Sequence, residues 1–286
     1  MRTAVGCGYD HPQPVPRVLK TLLLKALGRR RIQGVRALLR TSTIHGQFPL
    51  VRTPEGGRIT VLAPHMDDEV LGCGGTIARH AQAGAQVSVI FLTDGRRGSA
   101  AIAALPDTAR ARGEEELIEI RKQEARRAGA ILGVRHMLFL DAEDGRLSTD
   151  SRTSRKLAAI IERDPPDIVY LPFFLESHPD HRAASAMLVA ATQGTALDFE
   201  CRGYEVWTPL FPNLVVEIDA AIELKKQALA CYPSQLADMD YVHMGIGLNA
   251  YRASAVGGKS ARFVEAFYAL ALADYRQMYR SVRKFL

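Results

Sequence analysis

Residues 59–76 read ITVLAPHMDDEVLGCGGT. The β-rich run Ile59–Ala63 stops at Pro64. One imidazole and three carboxylates follow (His65, Asp67, Asp68 and Glu69), and from Val70 to Ala83 the apolar residues take helical spacing. A strand that empties into a polar loop and then a helix is half of a β-α-β unit, and the rest of the chain repeats the pattern. Strands are expected at Gln86–Thr93, His136–Leu140, Asp167–Leu171 and Leu214–Ile218. Helices are expected at Glu114–Leu132, Ser151–Arg163, Arg182–Thr192 and Ala220–Cys231. The alternation predicts an α/β, Rossmann-like fold: a mostly parallel sheet with helices on both faces and its working site outside the carboxyl ends of the strands. Gly95–Arg112, rich in small residues and arginine, reads as a mobile loop beside that site. The glycine-rich Tyr241–Tyr251 reads as a loop at its rim.

A chain of 286 residues, 47% hydrophobic, can bury one large core without disulfides or structural metal. Cys7, Cys73, Cys201 and Cys231 form no C-x-x-C pair, and Cys73 among its glycines reads as tight helix–strand packing. No apolar run approaches the roughly 20 residues of a membrane span, so a soluble protein of the reducing cytoplasm is expected. Charge divides the chain. Residues 1–54 carry ten Lys/Arg against one acid (+9), leaving 27 against 30 (−3) for the remainder, which argues against nucleic-acid binding by the body of the protein. The domain reading is therefore a basic, helical N-terminal extension over 1–57 and a catalytic domain over 58–286.

A second polar cluster, Glu176-Ser177-His178-Pro179-Asp180-His181, follows the apolar run Ile168–Leu171 and should project from the same sheet edge as the first. Asp67 and Asp68 alone would serve as a helix cap, and histidines around Pro-Asp alone as a surface turn. Two His/Asp-rich loops at strand ends point instead to a metal such as zinc, which accepts imidazole nitrogen and carboxylate oxygen and leaves a position for water in catalytic sites. The lone histidines His11, His45, His80, His136 and His243 have no such company and receive no role.

These motifs resemble the PIG-L/LmbE-like deacetylases, whose leading motif is a variant of His-Pro-Asp-Asp-Glu and whose trailing motif is His-Pro-Asp-His. The likeness runs from about Ile59 to Asp219, through LTDGRRGS, Arg121-Lys122-Gln123-Glu124 and Asp144-Gly145-Arg146-Leu147. It implies that His65, Asp68 and His181 hold zinc, with Fe2+ or another divalent ion as the alternative. It also implies that Asp67 is the general base, that His178 assists at the developing oxyanion or the leaving amine, and that Asp180 orients or polarises His178. Arg121 and Asp144 fall at positions near the sugar, where guanidinium and carboxylate grip hydroxyls or an anionic group. Met66 stands where proline is usual. Glu176 occupies a place where some members carry tyrosine, which removes that tyrosine as an acid.

The implied reaction is hydrolysis of an N-acetyl group from an amino sugar or its conjugate, glycoconjugate or lipid-linked substrates included. Acetamide is a poor electrophile and neutral water a poor nucleophile, and zinc with an adjacent carboxylate base activates both. An amidase for another small acylated amine remains open. A nucleotide- or S-adenosylmethionine-binding Rossmann protein is the remote alternative, because LGCGG does not make G-x-G-x-x-G and its acids would repel phosphate.

In Arg17–Arg40, leucines at helical spacing alternate with basic residues. An amphipathic helix there either packs on the domain or touches an anionic membrane, which would place the protein at the inner membrane surface. Membrane contact predicts that anionic liposomes sediment the full chain and not a truncation lacking residues 1–57. Equal recovery of the two excludes it.

Overall fold

The computed structural model describes residues 50, 51, 54, 57–149, 152–255 and 261–284. The expected Arg17–Arg40 helix lies outside them. Among the described residues eight strands form one sheet: β1 (Leu50–Val51), β2 (Arg58–Ala63), β3 (Gln86–Thr93), β4 (His136–Ala142), β5 (Ile168–Pro172), β6 (Glu200–Tyr204), β7 (Leu214–Glu217) and β8 (Val264–Ala271). Their order is β1-β7-β8-β6-β5-β2-β3-β4, and every pairing is parallel except those that β8 makes with β6 and β7. β1 extends the sheet back into the segment assigned from sequence to the N-terminal extension.

Period-2 alternation splits the core in two. Val61 and Ala63 of β2 face one layer with α1 (Asp68–Gln82), α3 (Asp107–Leu132) and α6 (Ile222–Leu229). Leu62 faces the other with α4 (Arg152–Arg163), α5 (Pro179–Ala191) and α9 (Leu272–Val282). The order reverses at β2: β3 and β4 follow on one side, β5 and β6 lie on the other. Both polar motifs leave the ends of the adjacent strands β2 and β5, at the topological switch point where such sheets open a crevice.

The stretch expected as a loop over Gly95–Arg112 holds the short helix α2 (Ala100–Ala103) and the first turn of α3, whose acidic and basic residues begin the helix well before its apolar pattern becomes visible. The expected rim loop Tyr241–Tyr251 is helix α8 (Tyr241–Ala255), because packing of α8 on β8 and α6 outweighs the modest cost of its two glycines. β6, β8 and α9 carried no sequence assignment. β6 (ECRGY) has no apolar run, and β8 (VEAFYALA) is rich in residues that favour helix as readily as strand.

α1 lies flush on the sheet. A Cβ at Gly72 would collide with the Tyr204 ring, and one at Gly75 would stand 2.7 Å from Ile218. The helix breaks at Cys73 (φ −148°, ψ 23°). A fully buried ion pair bonds the backbone on both sides of the break. Lys225 Nζ donates to Leu71 O at 2.9 Å and to Glu265 at 2.7 Å, while the Glu265 carboxylate accepts from Gly75 N and Thr76 N at 2.9 and 2.7 Å. Removing one partner strands the other's charge in the core. Glu265→Ala is therefore expected to cost about 3–5 kcal/mol in denaturant unfolding, and combining it with Lys225→Met to recover part of that loss.

Candidate metal centre

The turn between β2 and α1 places the first cluster. Asp67 sits at φ 138°, ψ −28°, a strained conformation for a residue with a Cβ, and is pinned from several sides. Its N–H donates to Glu69 Oε2 at 3.0 Å, and its carbonyl accepts from Val70 N and Leu71 N. The Glu69 carboxyl is pushed up to about 8 by burial and accepts from the Tyr232 hydroxyl. The second cluster opens α5, where Nδ1 of the N-cap residue His178 accepts from Asp180 N at 3.2 Å.

Asp68, His65 and His181 converge. Nδ1 of His65 and Nε2 of His181 each lie 3.2 Å from the same oxygen of Asp68, and all three side chains are buried. Protons do not resolve this meeting easily. His65 Nε2 faces two carboxylates, Asp144 at 3.2 Å and Asp180 at 3.3 Å, which only accept, so in the neutral ring the proton sits on Nε2 and Nδ1 is a bare lone pair. His181 turns Nδ1 toward Glu176, 3.7 Å away, and its Nε2 lies off any hydrogen-bond axis to Asp68. Two imidazole lone pairs and a carboxylate thus face one another and require a positive charge between them. Without a metal, protons supply it. Burial lowers both histidines, but the carboxylates outweigh burial, raising His65 well above its ordinary value and His181 to about 9.

A metal fits the same demand. Ligand atoms on a tetrahedral zinc with bonds near 2.0–2.2 Å stand roughly 3.3–3.5 Å apart, close to the 3.2 Å separations here. The groupings whose ligand atoms all lie within 4.8 Å of one another are, among the described residues, His65 with His178 and His181, and His65 with Asp144 and Asp180; Asp68 belongs to neither. In the first, His178 would bind through Nε2, because its Nδ1 accepts from Asp180 N. In the second, the Asp180 carboxylate already accepts from Gly145 N at 2.7 Å and Leu147 N at 3.1 Å.

The remaining sequence candidates divide. Burial lifts the Asp67 carboxyl to about 7 against the opposing charge of Arg121, 3.3 Å away, which gives an acid group poised near neutrality. Asp180 is revised: its backbone N–H, not its carboxylate, holds His178, while its carboxylate backs His65. His178 is half-buried and lowered by burial and by His65 and His181, so the neutral ring carries its proton on Nε2. Arg121 lines the cavity, but its hydrogen bonds go to Gly95 O (3.0 Å), Met66 O (2.7 Å) and Asp67. Asp144, whose burial is outweighed by the His65 hydrogen bond that holds it at about 2, also lines the cavity and accepts from Arg97 N.

The cavity over these groups, about 150 Å³, is also lined by Leu71, Arg97, Gly98, Trp207, Gln235 and Tyr241. Sequence reading had named none of them as site residues, only the segments that hold Arg97 and Gly98 (Gly95–Arg112, beside the site) and Tyr241 (Tyr241–Tyr251, at its rim). Trp207, the sole tryptophan, was the available signal.

A doubly layered α/β sheet with a histidine–carboxylate cluster at its switch point defines an α/β protein with a candidate metal centre. The PIG-L model, described as GlcNAc-PI de-N-acetylase, matches residues 60–192. The diacetylchitobiose deacetylase of Thermococcus kodakarensis is 28% identical over 197 residues, 63% of this chain and 71% of that protein. The 1D-myo-inositol 2-acetamido-2-deoxy-alpha-D-glucopyranoside deacetylase of Actinosynnema mirum is 32% identical, covering 49% of this chain and 56% of that enzyme. The crystal structure of a conserved protein from Thermus thermophilus, TT1542, superposes with a TM-score of 0.60 at 30% identity, covering 73% of this chain and 93% of that one. Residues 60–192 of the chain belong to the PIG-L family, whose relatives here are deacetylases of N-acetylated sugars.

Because Asp144 backs His65 through Nε2, Asp144→Asn is expected to weaken metal binding by roughly 10–100-fold. Metal retained during chelator competition, measured by elemental analysis, reads this directly; retention equal to wild type refutes the role.

Proposed function

We propose that this protein is a zinc-dependent deacetylase that hydrolyses the N-acetyl group of an amino sugar or amino-sugar conjugate. The observation that carries the reading is the pairing of a cation-demanding triad, His65, Asp68 and His181, with a separate carboxylate, Asp67, held beside it by Arg121 at 3.3 Å. The family membership and the deacetylases among its relatives support the substrate class.

His65, Asp68 and His181 would hold the zinc, which when bound supplies Lewis-acid chemistry, polarising a carbonyl and making water more acidic. Asp67 takes a proton from water as its oxygen attacks the acetyl carbon. The C–N bond then breaks as the amine nitrogen takes the proton that Asp67 accepted, and acetate and the free amino sugar leave. Arg121 stays on Asp67 throughout, keeping the carboxylate accessible despite its burial and fixing its position. Neutral His178 donates from Nε2 to the oxyanion, so its role needs no imidazolium. Asp144 and Asp180 keep the His65 proton on Nε2 and leave Nδ1 for the metal.

Acetate release from a panel of N-acetylhexosaminides tests the reading. Asp67→Asn should keep its zinc and lose roughly 10²–10⁴-fold in turnover, and His178→Ala should lose roughly 10²–10³-fold. Unchanged turnover in Asp67→Asn removes Asp67 as the base. A wild-type protein loaded with zinc that releases no acetate from any sugar shifts the substrate to another acylated amine.

A further inference from the structure

The cavity is small. At about 150 Å³ it falls well below the roughly 300–1,000 Å³ of sites that enclose a whole ligand, so an acetamido group enters and most of the sugar stays at the mouth. At that mouth stand two aromatic rings, Trp207 and Tyr241, 5.9 Å apart and at 68° to one another. Trp207 is 39% exposed.

The backbone beneath this tryptophan is unusually well secured for a surface loop. The buried Glu176 carboxylate accepts from Val206 N (2.6 Å), Trp207 N (3.1 Å) and Thr208 N (3.2 Å), and Ser177 N donates to the Thr208 hydroxyl. On the other side, buried Glu205 accepts from Leu210 N at 2.8 Å and pairs with Arg252, which also donates to Leu210 O. Two buried carboxylates thus hold residues 205–210 in one shape, yet the side chain they present is left partly in water. The same stretch buries Val206 and Leu210 in the core, and between these two anchors it holds the indole at the surface. A pre-organised, half-exposed indole beside a catalytic cavity is suited to a ligand with an apolar face and polar edges.

We propose that Trp207, with Tyr241 as its edge support, is the sugar platform of this site: the C–H face of the substrate's pyranose ring lies against the indole while its acetamido group enters the cavity. This rests on the amino-sugar reading above and adds the residue that positions the ring. Because Glu176 also faces His181, the carboxylate that sets the indole lies against the triad that receives the acetyl group. Trp207 is thereby a positioning residue for the sugar and takes no part in the bond changes.

Trp207 is the chain's single tryptophan, so its fluorescence reports on the cavity mouth alone. In zinc-loaded Asp67→Asn enzyme, N-acetylglucosamine or N,N′-diacetylchitobiose should shift the emission and protect it from acrylamide quenching. In the otherwise wild-type enzyme, Trp207→Ala should raise KM by roughly three- to tenfold with kcat nearly unchanged, and Trp207→Phe should restore most of it. Wild-type acetate release together with unaltered quenching and an unchanged KM in Trp207→Ala overturns the platform and leaves the deacetylase reading intact. No acetate release from any sugar, with quenching unaffected by all of them, overturns both.

Discussion

One oxygen of Asp68 faces the lone-pair nitrogens of two buried histidines at 3.2 Å, and much of the site follows from how that conflict is settled. Acceptors cannot be buried against one another without a cation between them. Protonated imidazoles satisfy the requirement in the bare protein, and a divalent metal would satisfy it with the rings neutral. The surrounding carboxylates serve that choice. Asp144 and Asp180 take the far side of His65, Glu176 takes the far side of His181, and each leaves the nitrogen toward Asp68 free.

Convergence of this kind needs a helix start held firmly against a strand end. α1 begins at Asp68, lies on the sheet through Gly72 and Gly75, and breaks at Cys73. The buried Lys225–Glu265 pair bonds the backbone on both sides of the break, tying α1 to α6 and β8. Strain at Asp67 is sustained by the same framework, with Glu69, Tyr232 and Arg121 gripping the turn from three directions. The strained backbone leaves the Asp67 carboxylate beside His65, Asp68 and His181 instead of among them.

The structure reassigns several side chains without changing the set of residues gathered. Arg121 spends its hydrogen bonds on the turn and on Asp67, and Asp144 spends an oxygen on His65, although both remain on the cavity wall. Asp180 acts on His178 through its amide and on His65 through its carboxylate. The cavity mouth belongs to residues from the β6–β7 loop, which no local pattern announced, and from the start of α8, which its glycines announced as a rim but not as a helix.

The sequence by itself determined the strand–loop–helix alternation, the α/β class and the two histidine motifs, because each is written in neighbouring residues: period-2 and helical spacing, and donors clustered within a few positions. It did not disclose β6, whose residues lack an apolar run, or β8, whose composition suits helix and strand alike; their places depend on pairing with distant strands. Nor did it disclose which carboxylate backs which histidine. Residues 65, 144 and 180 meet only because β2 lies between β3 and β5 at the point where the sheet changes direction, and that order is decided by packing across the whole domain. Local spacing chose the ligand types, and tertiary structure aimed their lone pairs.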